Sequence, residues 1–316
     1  MLLQIAVFIA GSLILYWGAE TLVRGSSRFA LSLGIRPIIV GLTIIAMGTS
    51  VPEFMVSLLA TIQKNKPIAL GNIIGSNIAN IGLVVGIASI IKPIRIKINT
   101  IRREMPFLIL TTIIFYVLSL DGSLNFLDGI SLLALFLFFM YYMIYLASAD
   151  RRDEKRLQKE MNEGNDPRKK AVVSLMLTFA GLALLLAGSH LIVKSAVSIA
   201  KAYGVSEFVV GVTMVAVGTS LPELAVSSVG AFRGHAELAV GNVVGSNLFN
   251  MLFVIGLIAL IFPIPVEKSV LKFEYLFMLG LTIIFFPMMR TGFVLNRWEG
   301  LILILAYGTF IFLLFV

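Results

Sequence analysis

The chain contains no cysteine and only two histidines, His190 and His235, among its 316 residues. Without cysteine it has no disulfide bond and no thiolate metal site, and two imidazoles are too few for a zinc cluster. Charged residues are also scarce, because Asp, Glu, Lys and Arg together make up 13% of the chain, roughly half of the share usual in soluble domains. These absences exclude thiolate chemistry and argue against a soluble fold.

Apolar residues are abundant instead. They make up 59% of the chain, the mean hydropathy is +0.99, and several runs reach the roughly 18 residues that span a bilayer. The runs are continuous rather than alternating, which excludes a transmembrane β-barrel. The first run lacks a basic leader and a cleavage site, so we interpret it as a membrane helix. The composition therefore predicts an all-α, multi-pass membrane protein, in which the net charge of +8 lies in loops and sets orientation.

Breakers between the apolar runs divide the chain into ten predicted spans. A charged segment, "ADRRDEKRLQKEMNEGNDPRKK", follows the fifth span and is predicted to be a solvated, partly helical linker. The predicted organisation is a first half at residues 1–148, a linker at 149–170 and a second half at 171–316. The approximate spans are 2–22, 37–60, 68–91, 105–120, 126–147, 171–193, 207–231, 238–261, 270–288 and 298–316.

The two halves repeat each other at an offset of 170 residues. "GLTIIAMGTSVPEFMVS" from Gly41 aligns with "GVTMVAVGTSLPELAVS" from Gly211, and "GNIIGSNIAN" from Gly71 with "GNVVGSNLFN" from Gly241. About 22 of 54 positions are identical from 41–94 to 211–264, which is well above chance. Five spans per half would make the second copy enter from the opposite side, so we expect an inverted repeat.

Loop charges predict the orientation of these spans. With the amino terminus outside, about 19 of the 25 basic residues lie in inner loops, as the positive-inside rule requires. We therefore expect both termini outside the cell membrane and the linker in the cytoplasm.

The segment Ser50-Val51-Pro52-Glu53 has the pattern of a capping box, with Ser50 as the N-cap and Glu53 reaching back to it. Gly48 would end the preceding turn. We therefore predict a helix that breaks and restarts within the membrane. Such backbone is tolerated only where protein or water satisfies it, and the freed carbonyl of Ala46 becomes a candidate cation ligand.

A capping box does not require a charge, because Gln would serve equally well. A carboxylate in mid-bilayer costs about 3 kcal/mol, and the sequence carries two, Glu53 and Glu223, at equivalent positions. Capping at a kink is the plain structural alternative. Repeat symmetry instead favours a shared midplane ion site, where transporters of this architecture bind ions.

Helical spacing gathers further oxygen ligands around each glutamate. Thr49 and Ser50 lie four and three residues before Glu53, and Ser76 and Asn80 share a face of the next span. Their counterparts are Thr219, Ser220, Glu223, Ser246 and Asn250. Hydroxyl, amide and carboxylate oxygens without sulfur or imidazole suit hard cations such as Ca²⁺. Two carboxylates balance one Ca²⁺ or two monovalent ions, so we hypothesise that these species alternate at one site.

The remaining polar residues receive structural interpretations. Gly71-xxx-Gly75 and Gly241-xxx-Gly245 are patterns that let helices approach closely. Four more asparagines could bond across helices or line the ion path, and both readings stay open: Asn72, Asn77, Asn242 and Asn247. Glu20, Lys194 and His190 lie near span ends, where snorkelling suffices.

The paired "GTSxPE" and "GNxxGSNxxN" motifs resemble those of the sodium/calcium exchanger group of the cation/Ca²⁺ exchangers, prokaryotic type. The resemblance implies ten helices in two inverted halves, Na⁺-driven Ca²⁺ transport by alternating access, no enzymatic activity and no cofactor. Its implied surroundings are the lipid bilayer, and it implies neither a nucleic-acid partner nor a protein partner. The implied metal ligands are Ala46, Thr49, Ser50, Glu53, Ser76, Asn80, Ala216, Thr219, Ser220, Glu223, Ser246 and Asn250, with Ala46 and Ala216 acting through their carbonyls.

One position departs from some relatives, which carry Asp where this chain has Asn250. The potassium-dependent relatives are among those that carry this Asp, so its absence here argues against K⁺ co-transport. A Ca²⁺/H⁺ antiporter is the nearest alternative, in which protons neutralise Glu53 and Glu223. A passive cation channel and a membrane scaffold are the other classes, and the scaffold leaves two buried carboxylates unexplained.

Overall fold

The structure, a computed structural model, describes residues 2–158, 167–203 and 216–314. Within these ranges the chain is helical throughout, apart from short connections and four two-residue strands. The helices are α1 (Leu2–Leu33), α2 (Pro37–Val40), α3 (Ala46–Thr49), α4 (Val51–Ile62), α5 (Lys66–Ala79), α6 (Gly86–Ile91), α7 (Met105–Leu118), α8 (Phe126–Gln158), α9 (Pro167–Ala202), α10 (Ala216–Thr219), α11 (Leu221–Phe232), α12 (Ala236–Leu248), α13 (Ile255–Ile261), α14 (Lys268–Lys272), α15 (Glu274–Arg290) and α16 (Arg297–Leu314).

Seven helices in the described part of the chain are long and apolar enough to cross a bilayer, and an eighth span is a bent pair. The chain is therefore an all-helical membrane protein. Two of the ten predicted spans are not among these eight. The predicted span at 105–120 corresponds to α7, which continues from the charged π-helical turn Thr100–Glu104, and the span at 207–231 lies partly outside the described residues. In the predicted linker, α8 continues to Gln158 and α9 begins at Pro167.

The predicted helix break is confirmed in the first half. The segment Pro37–Thr49 and helix α4 meet at Ser50 with a bend of 42°. Pro52 lacks an N–H group and cannot donate to the carbonyl four residues earlier, that of Gly48. In the second half the equivalent carbonyl, Gly218, accepts the Ser189 hydroxyl at 3.1 Å, so a side chain satisfies the backbone group that proline leaves free.

Two spans form the centre of the fold. The segments 66–91 and 236–261 are 78% buried over their apolar windows, whereas the other five long spans are 17–33% buried. The two central segments are equivalent under the 170-residue offset. Each contains a π-helical turn, at Asn80–Val85 and at Phe249–Val254. Because π-turns commonly occur at functional sites, the centre of the bundle is where a site is expected.

Two short ribbons connect the halves. Strand β1 (Ile94–Arg95) pairs with β4 (Val294–Leu295), and β2 (Ser123–Leu124) pairs with β3 (Ile264–Pro265), both antiparallel. The offset converts β1 into β3 and brings β2 to within one residue of β4, so each ribbon is the equivalent of the other in the repeat. Helix α7 separates β1 from β2 along the chain. Equivalent strands therefore lie at opposite ends of this helix.

Helices α1 and α9 are also equivalent, and they pack against each other in antiparallel fashion. A Cβ atom on Gly11 would lie 3.0 Å from Leu191, and one on Gly25 would lie 2.7 Å from Thr178, so positions rise along one helix as they fall along the other. The seven-residue spacing of these glycines is the sequence signal of this contact, because small residues on one helix face let helices approach closely. The glycines at the crossing are Gly11, Gly18, Gly25, Gly181 and Gly188.

The second GxxxG pattern produces the predicted close approach. Cβ atoms on Gly241 and Gly245 would lie 2.7 and 2.6 Å from the carbonyls of Ile38 and Leu42. Helix α12 is thereby held against the segment that leads into the helix break. For the first pattern, Gly71-xxx-Gly75, the corresponding contacts would be with residues 208 and 212 of the second half, which lie outside the described residues.

Candidate functional site

The two glutamates lie at the centre of the protein, and both are 0% exposed. Each accepts a hydrogen bond from the serine of the other half. The Ser50 hydroxyl donates to Glu223 Oε1 at 3.0 Å, and the Ser220 hydroxyl donates to Glu53 Oε1 at 3.5 Å. The two broken helices are thus joined through their carboxylates, and the repeat places Glu53 and Glu223 in one shared polar region.

The predicted capping box is wrong in its hydrogen bonds. Ser50 stands at the N-cap position of α4, but its side chain makes no capping bond. The turn of α3 continues as far as Ser50, whose N–H donates to the Ala46 carbonyl at 3.0 Å. The backbone group that Glu53 was expected to satisfy is therefore already occupied, and the hydroxyl is free to bond Glu223.

A double-mutant cycle distinguishes these two roles of Ser50. We expect Ser50→Ala and Glu223→Gln to be coupled by about 1 kcal/mol in unfolding free energy, because Gln keeps the hydrogen bond of Ser50 but replaces its charged acceptor by a weaker, neutral one. The measurement is denaturant unfolding of the purified protein in detergent micelles. The matched cycle of Ser50→Ala with Glu53→Gln should show little coupling. Strong coupling to Glu53 and none to Glu223 would restore the capping box.

Further hydroxyls surround the carboxylates. Ser246 donates to Glu223 Oε1 at 3.3 Å, and its oxygen lies 3.4 Å from that of Thr49. Thr49 also lies beside Glu223, and Thr219 lies beside Glu53. The structure therefore brings the predicted threonines and serines of both helix breaks to the two acidic side chains.

Two asparagines outside the predicted ligand set brace the broken helices. Asn72 donates to the backbone carbonyl of Glu53 at 3.2 Å and to the Ser57 hydroxyl at 2.9 Å. Asn242 donates to the Ser227 hydroxyl at 3.3 Å and accepts from Thr49 at 3.1 Å. Of the two readings left open for these residues, the structure supports bonding between helices.

The structure shows the hydrogen bonds of the Ala46 carbonyl, whereas it describes the surroundings of the Ala216 carbonyl only in part. The Ala46 carbonyl is not freed by the break, because it accepts the Ser50 N–H at 3.0 Å and the Thr49 hydroxyl at 3.3 Å. An ion could use this oxygen only where the Thr49 hydroxyl turns away. Ala216 is the first residue of α10, and the residues before it, 204–215, lie outside the described part of the chain.

Five buried oxygen atoms of the predicted ligands have no hydrogen-bond partner. They belong to residues of both halves that are at most 3% exposed. A buried polar atom without a partner costs free energy and calls for an explanation. The atoms are Glu53 Oε2, Glu223 Oε2, Ser76 Oγ, Asn80 Oδ1 and Asn250 Oδ1.

These atoms have the chemistry that a hard cation requires. All five are oxygens, two of them carboxylate oxygens, and hard cations such as Ca²⁺ bind carboxylate, amide and hydroxyl oxygens. Nowhere in the described ranges do three or more His, Cys, Asp or Glu side chains gather in a group that could hold a metal. Any cation bound by Glu53 and Glu223 must therefore complete its coordination with neutral oxygens.

Another buried acid lies near one end of the bundle, and the interpretation of Glu20 as a snorkelling residue is wrong. Glu20 is 2% exposed and forms ion pairs with Arg24 on the same helix and with Arg233 at the end of α11. Nearby, the Ser27 hydroxyl lies 3.1 Å from His235 Nδ1, and partial burial lowers the pKa of His235. Sequence spacing could not reveal this cluster, because Glu20 and Arg233 lie 213 residues apart.

The chain and its fold are similar to those of membrane exchangers. The family model described as "Sodium/calcium exchanger protein" matches residues 3–145 and 173–316. The chain belongs to this family of antiporters, which confirms the resemblance stated from its motifs.

Individual relatives agree with this assignment. A protein named CaxA from Alkalimonas amylolytica is 41% identical over 321 residues, which cover 100% of this chain and 99% of that protein. Sodium/calcium exchanger MaX1 of Methanosarcina acetivorans is 29% identical, with 98% and 97% covered. The solved structure of the sodium-calcium exchanger NCX_Mj soaked with Na⁺ superposes with a TM-score of 0.86 at 32% identity and covers 98% of each chain.

Proposed function

We propose that this protein is a secondary-active antiporter that exchanges Na⁺ for Ca²⁺ at the paired site of Glu53 and Glu223. The observation that carries the proposal is the set of five buried oxygens without partners, all from predicted ligands of the two halves. A cation among these atoms would replace the missing hydrogen bonds and compensate both carboxylates. Membership of the exchanger family and the name of MaX1 support Na⁺ and Ca²⁺ as the transported ions.

The proposed ligands are the twelve residues that the resemblance to sodium/calcium exchangers implies. Thr49, Ser50 and Glu53 come from the first helix break, and their counterparts Thr219, Ser220 and Glu223 from the second. The central helices would add hydroxyl and amide oxygens, and two backbone carbonyls would complete the set. These remaining members are Ser76, Asn80, Ser246, Asn250, Ala46 and Ala216.

We further propose ten spans in two inverted halves, 1–148 and 171–316, joined by the linker at 149–170. Antiparallel packing of the equivalent helices α1 and α9 supports the inversion. So does the position of the equivalent strands β1 and β3 at opposite ends of α7. In the proposed orientation both termini lie outside and the linker lies in the cytoplasm. The ribbon of β1 and β4 would then join two inner loops, and the ribbon of β2 and β3 two outer ones.

Charge balance suggests how exchange is coupled. Two carboxylates without counter-ions are costly in a low-dielectric interior. One Ca²⁺ or a pair of Na⁺ ions would neutralise them, so the site would switch sides only when it is occupied. The two halves could then open alternately to either side around the same ligands.

Sealed vesicles that contain the purified protein test this coupling. We expect Ca²⁺ uptake when the vesicles are loaded with Na⁺, and no uptake when they are loaded with K⁺. Uptake that follows an imposed proton gradient and ignores Na⁺ would establish a Ca²⁺/H⁺ antiporter instead. Ca²⁺ entry without any counter-ion gradient would indicate a passive channel.

The substitution Asn250→Asp tests whether this position is a ligand. The Asn250 amide donates to Asn77 Oδ1 at 3.3 Å, and a carboxyl group can keep this bond only while it carries a proton. We expect Ca²⁺ affinity in the variant to change with pH between about 6 and 9, as a third buried carboxyl beside two others loses its proton.

Equilibrium ⁴⁵Ca²⁺ binding across this pH range measures the effect. Asn296→Asp is the matched control, because Asn296 caps α16 in a loop by accepting from Trp298 and Glu299, and Asp is an equally good N-cap. The control should retain the wild-type pH profile. A wild-type profile in Asn250→Asp would contradict the ligand role of this residue.

A further inference from the structure

Four asparagines at the centre of the fold form two crossed pairs. The Asn80 amide donates to Asn247 Oδ1 at 2.9 Å, and the Asn250 amide donates to Asn77 Oδ1 at 3.3 Å. The 170-residue offset converts one contact into the other. All four side chains are at most 1% exposed. In each pair, a proposed ligand of one half is bonded to an asparagine of the other half.

Each pair ends at a group that can only accept hydrogen bonds. Asn247 donates to the backbone carbonyl of Asn77 at 3.1 Å, and Asn77 donates to the Met278 sulfur at 3.7 Å. Neither a carbonyl nor a thioether carries a hydrogen. Asn77 and Asn247 must therefore turn their NH₂ groups to these acceptors, and their oxygens face the proposed ligands Asn80 and Asn250.

The orientation of the ligands follows from this chain of bonds. Because Asn80 and Asn250 each face an oxygen, each must present its own NH₂ group to that oxygen. Their Oδ1 atoms then point away from the pair, and these are two of the atoms without a protein partner. A reversed amide would direct two N–H donors at a cation instead.

We propose that Asn77 and Asn247 are positioning residues, which hold the amides of Asn80 and Asn250 with their oxygens towards the transported cation. This inference rests on the proposed function and deepens it, because it identifies the groups that set the ligand orientation. Met278 serves the Asn77–Asn250 pair alone, since its counterpart in the first half is Leu108, which has no acceptor.

Binding of ⁴⁵Ca²⁺ to the purified full chain tests the proposal. We expect Asn77→Leu to weaken affinity roughly 10- to 100-fold, the usual effect of losing a group that orients a metal ligand. Met278→Leu preserves volume and is well tolerated in cores. It should weaken affinity in the same direction but less. Thr112→Val is the matched control, because Thr112 is buried and bonds only its own helix; it should bind Ca²⁺ as the wild type does.

A rescue separates positioning from a structural role. A carboxylate offers an oxygen whichever way it turns, so Asn77→Leu should cost about threefold or less in the Asn250→Asp background. An equal loss in both backgrounds, or wild-type affinity in Asn77→Leu, would overturn the inference.

The outcomes also distinguish this inference from the proposed function. A wild type that binds Ca²⁺ but shows no Na⁺-driven uptake defeats the exchange proposal, and the binding series still decides on positioning. Na⁺-driven uptake together with unchanged binding in Asn77→Leu defeats the positioning role alone. A wild type that binds no Ca²⁺ defeats both.

Discussion

Replacing Glu53 or Glu223 by Gln is expected to abolish Ca²⁺ uptake into Na⁺-loaded vesicles while leaving the protein folded. The Gln carbonyl can still accept the hydrogen bond that Ser220 makes to Glu53. With that bond kept, the NH₂ group of Gln takes the place of Oε2, the oxygen without a partner, and cannot bind a cation. Half of the site's negative charge would also be lost. Because this charge attracts the cation, we expect Ca²⁺ affinity to fall about 100-fold or more. Each tenfold loss corresponds to about 1.4 kcal/mol of binding free energy.

The same variants can be followed without transport. Ligand binding stabilises the folded state, so Ca²⁺ should raise the unfolding temperature of the wild type in detergent and leave that of either variant unchanged. Without Ca²⁺, the variants should be at least as stable as the wild type, because a buried charge without a counter-ion has been removed. Full transport in either variant would contradict the proposed site.

Glu104→Gln is the matched control for these variants. Glu104 is also 0% exposed, but its partner is Arg36, at 3.0 Å. The substitution leaves the Arg36 guanidinium, whose side chain is only 13% exposed, with a weakened partner, so stability should fall by about 3–5 kcal/mol at most. The Ca²⁺-dependent rise in unfolding temperature should persist. The control and the site variants are thus expected to show opposite patterns.

Gly245→Val is expected to prevent correct folding or to destabilise the protein by roughly 3 kcal/mol or more, at or beyond the upper end of ordinary overpacking. A Cβ atom at this position would lie 2.6 Å from the Leu42 carbonyl and 2.7 Å from the Ala46 Cβ. Both atoms belong to the segment before the helix break, and backbone at such distances cannot yield by a rotamer change. The segment that carries the proposed site would be displaced.

Folded yield and the unfolding temperature in detergent measure this effect. Gly308→Val is the control with the same chemical change, because Gly308 is exposed on α16 and no atom lies within 4 Å of a Cβ there. That variant should fold as the wild type does. The milder Gly245→Ala should fold but lose Ca²⁺ affinity, since it shifts Ala46. Wild-type stability in Gly245→Val would show that helix α12 does not pack against this segment.

Several features could be predicted from local patterns. The break at Ser50 follows from Pro52, which removes one backbone donor whatever the surroundings are. The oxygen chemistry of the proposed site follows from residue types at helical spacing, such as Thr49 and Glu53. The capping box was wrong, because the motif does not reveal that the preceding turn already occupies the Ser50 N–H.

Other features depend on partners far apart in the chain. Glu20 has an ordinary position in the sequence, and only the approach of Arg233 to α1 explains its burial. The glycine spacing of α1 predicts that another helix packs closely against it. Which helix this is, α9 in antiparallel orientation, depends on the tertiary structure. The span at 105–120 corresponds to α7, and the π-helical turn Thr100–Glu104 that extends this helix at its start was not predicted.

The sequence by itself determined the repeat, the helix break and the residues proposed as oxygen ligands, because these depend on residue identity and on contacts within one or two helical turns. Only the tertiary structure decided which hydroxyl bonds which carboxylate and which way each amide faces. Ser50 and Glu223 lie 173 residues apart, and their hydrogen bond exists only because the two broken helices meet. Short-range periodicity carries no information about such a contact, whereas close packing of the two halves leaves few alternative arrangements.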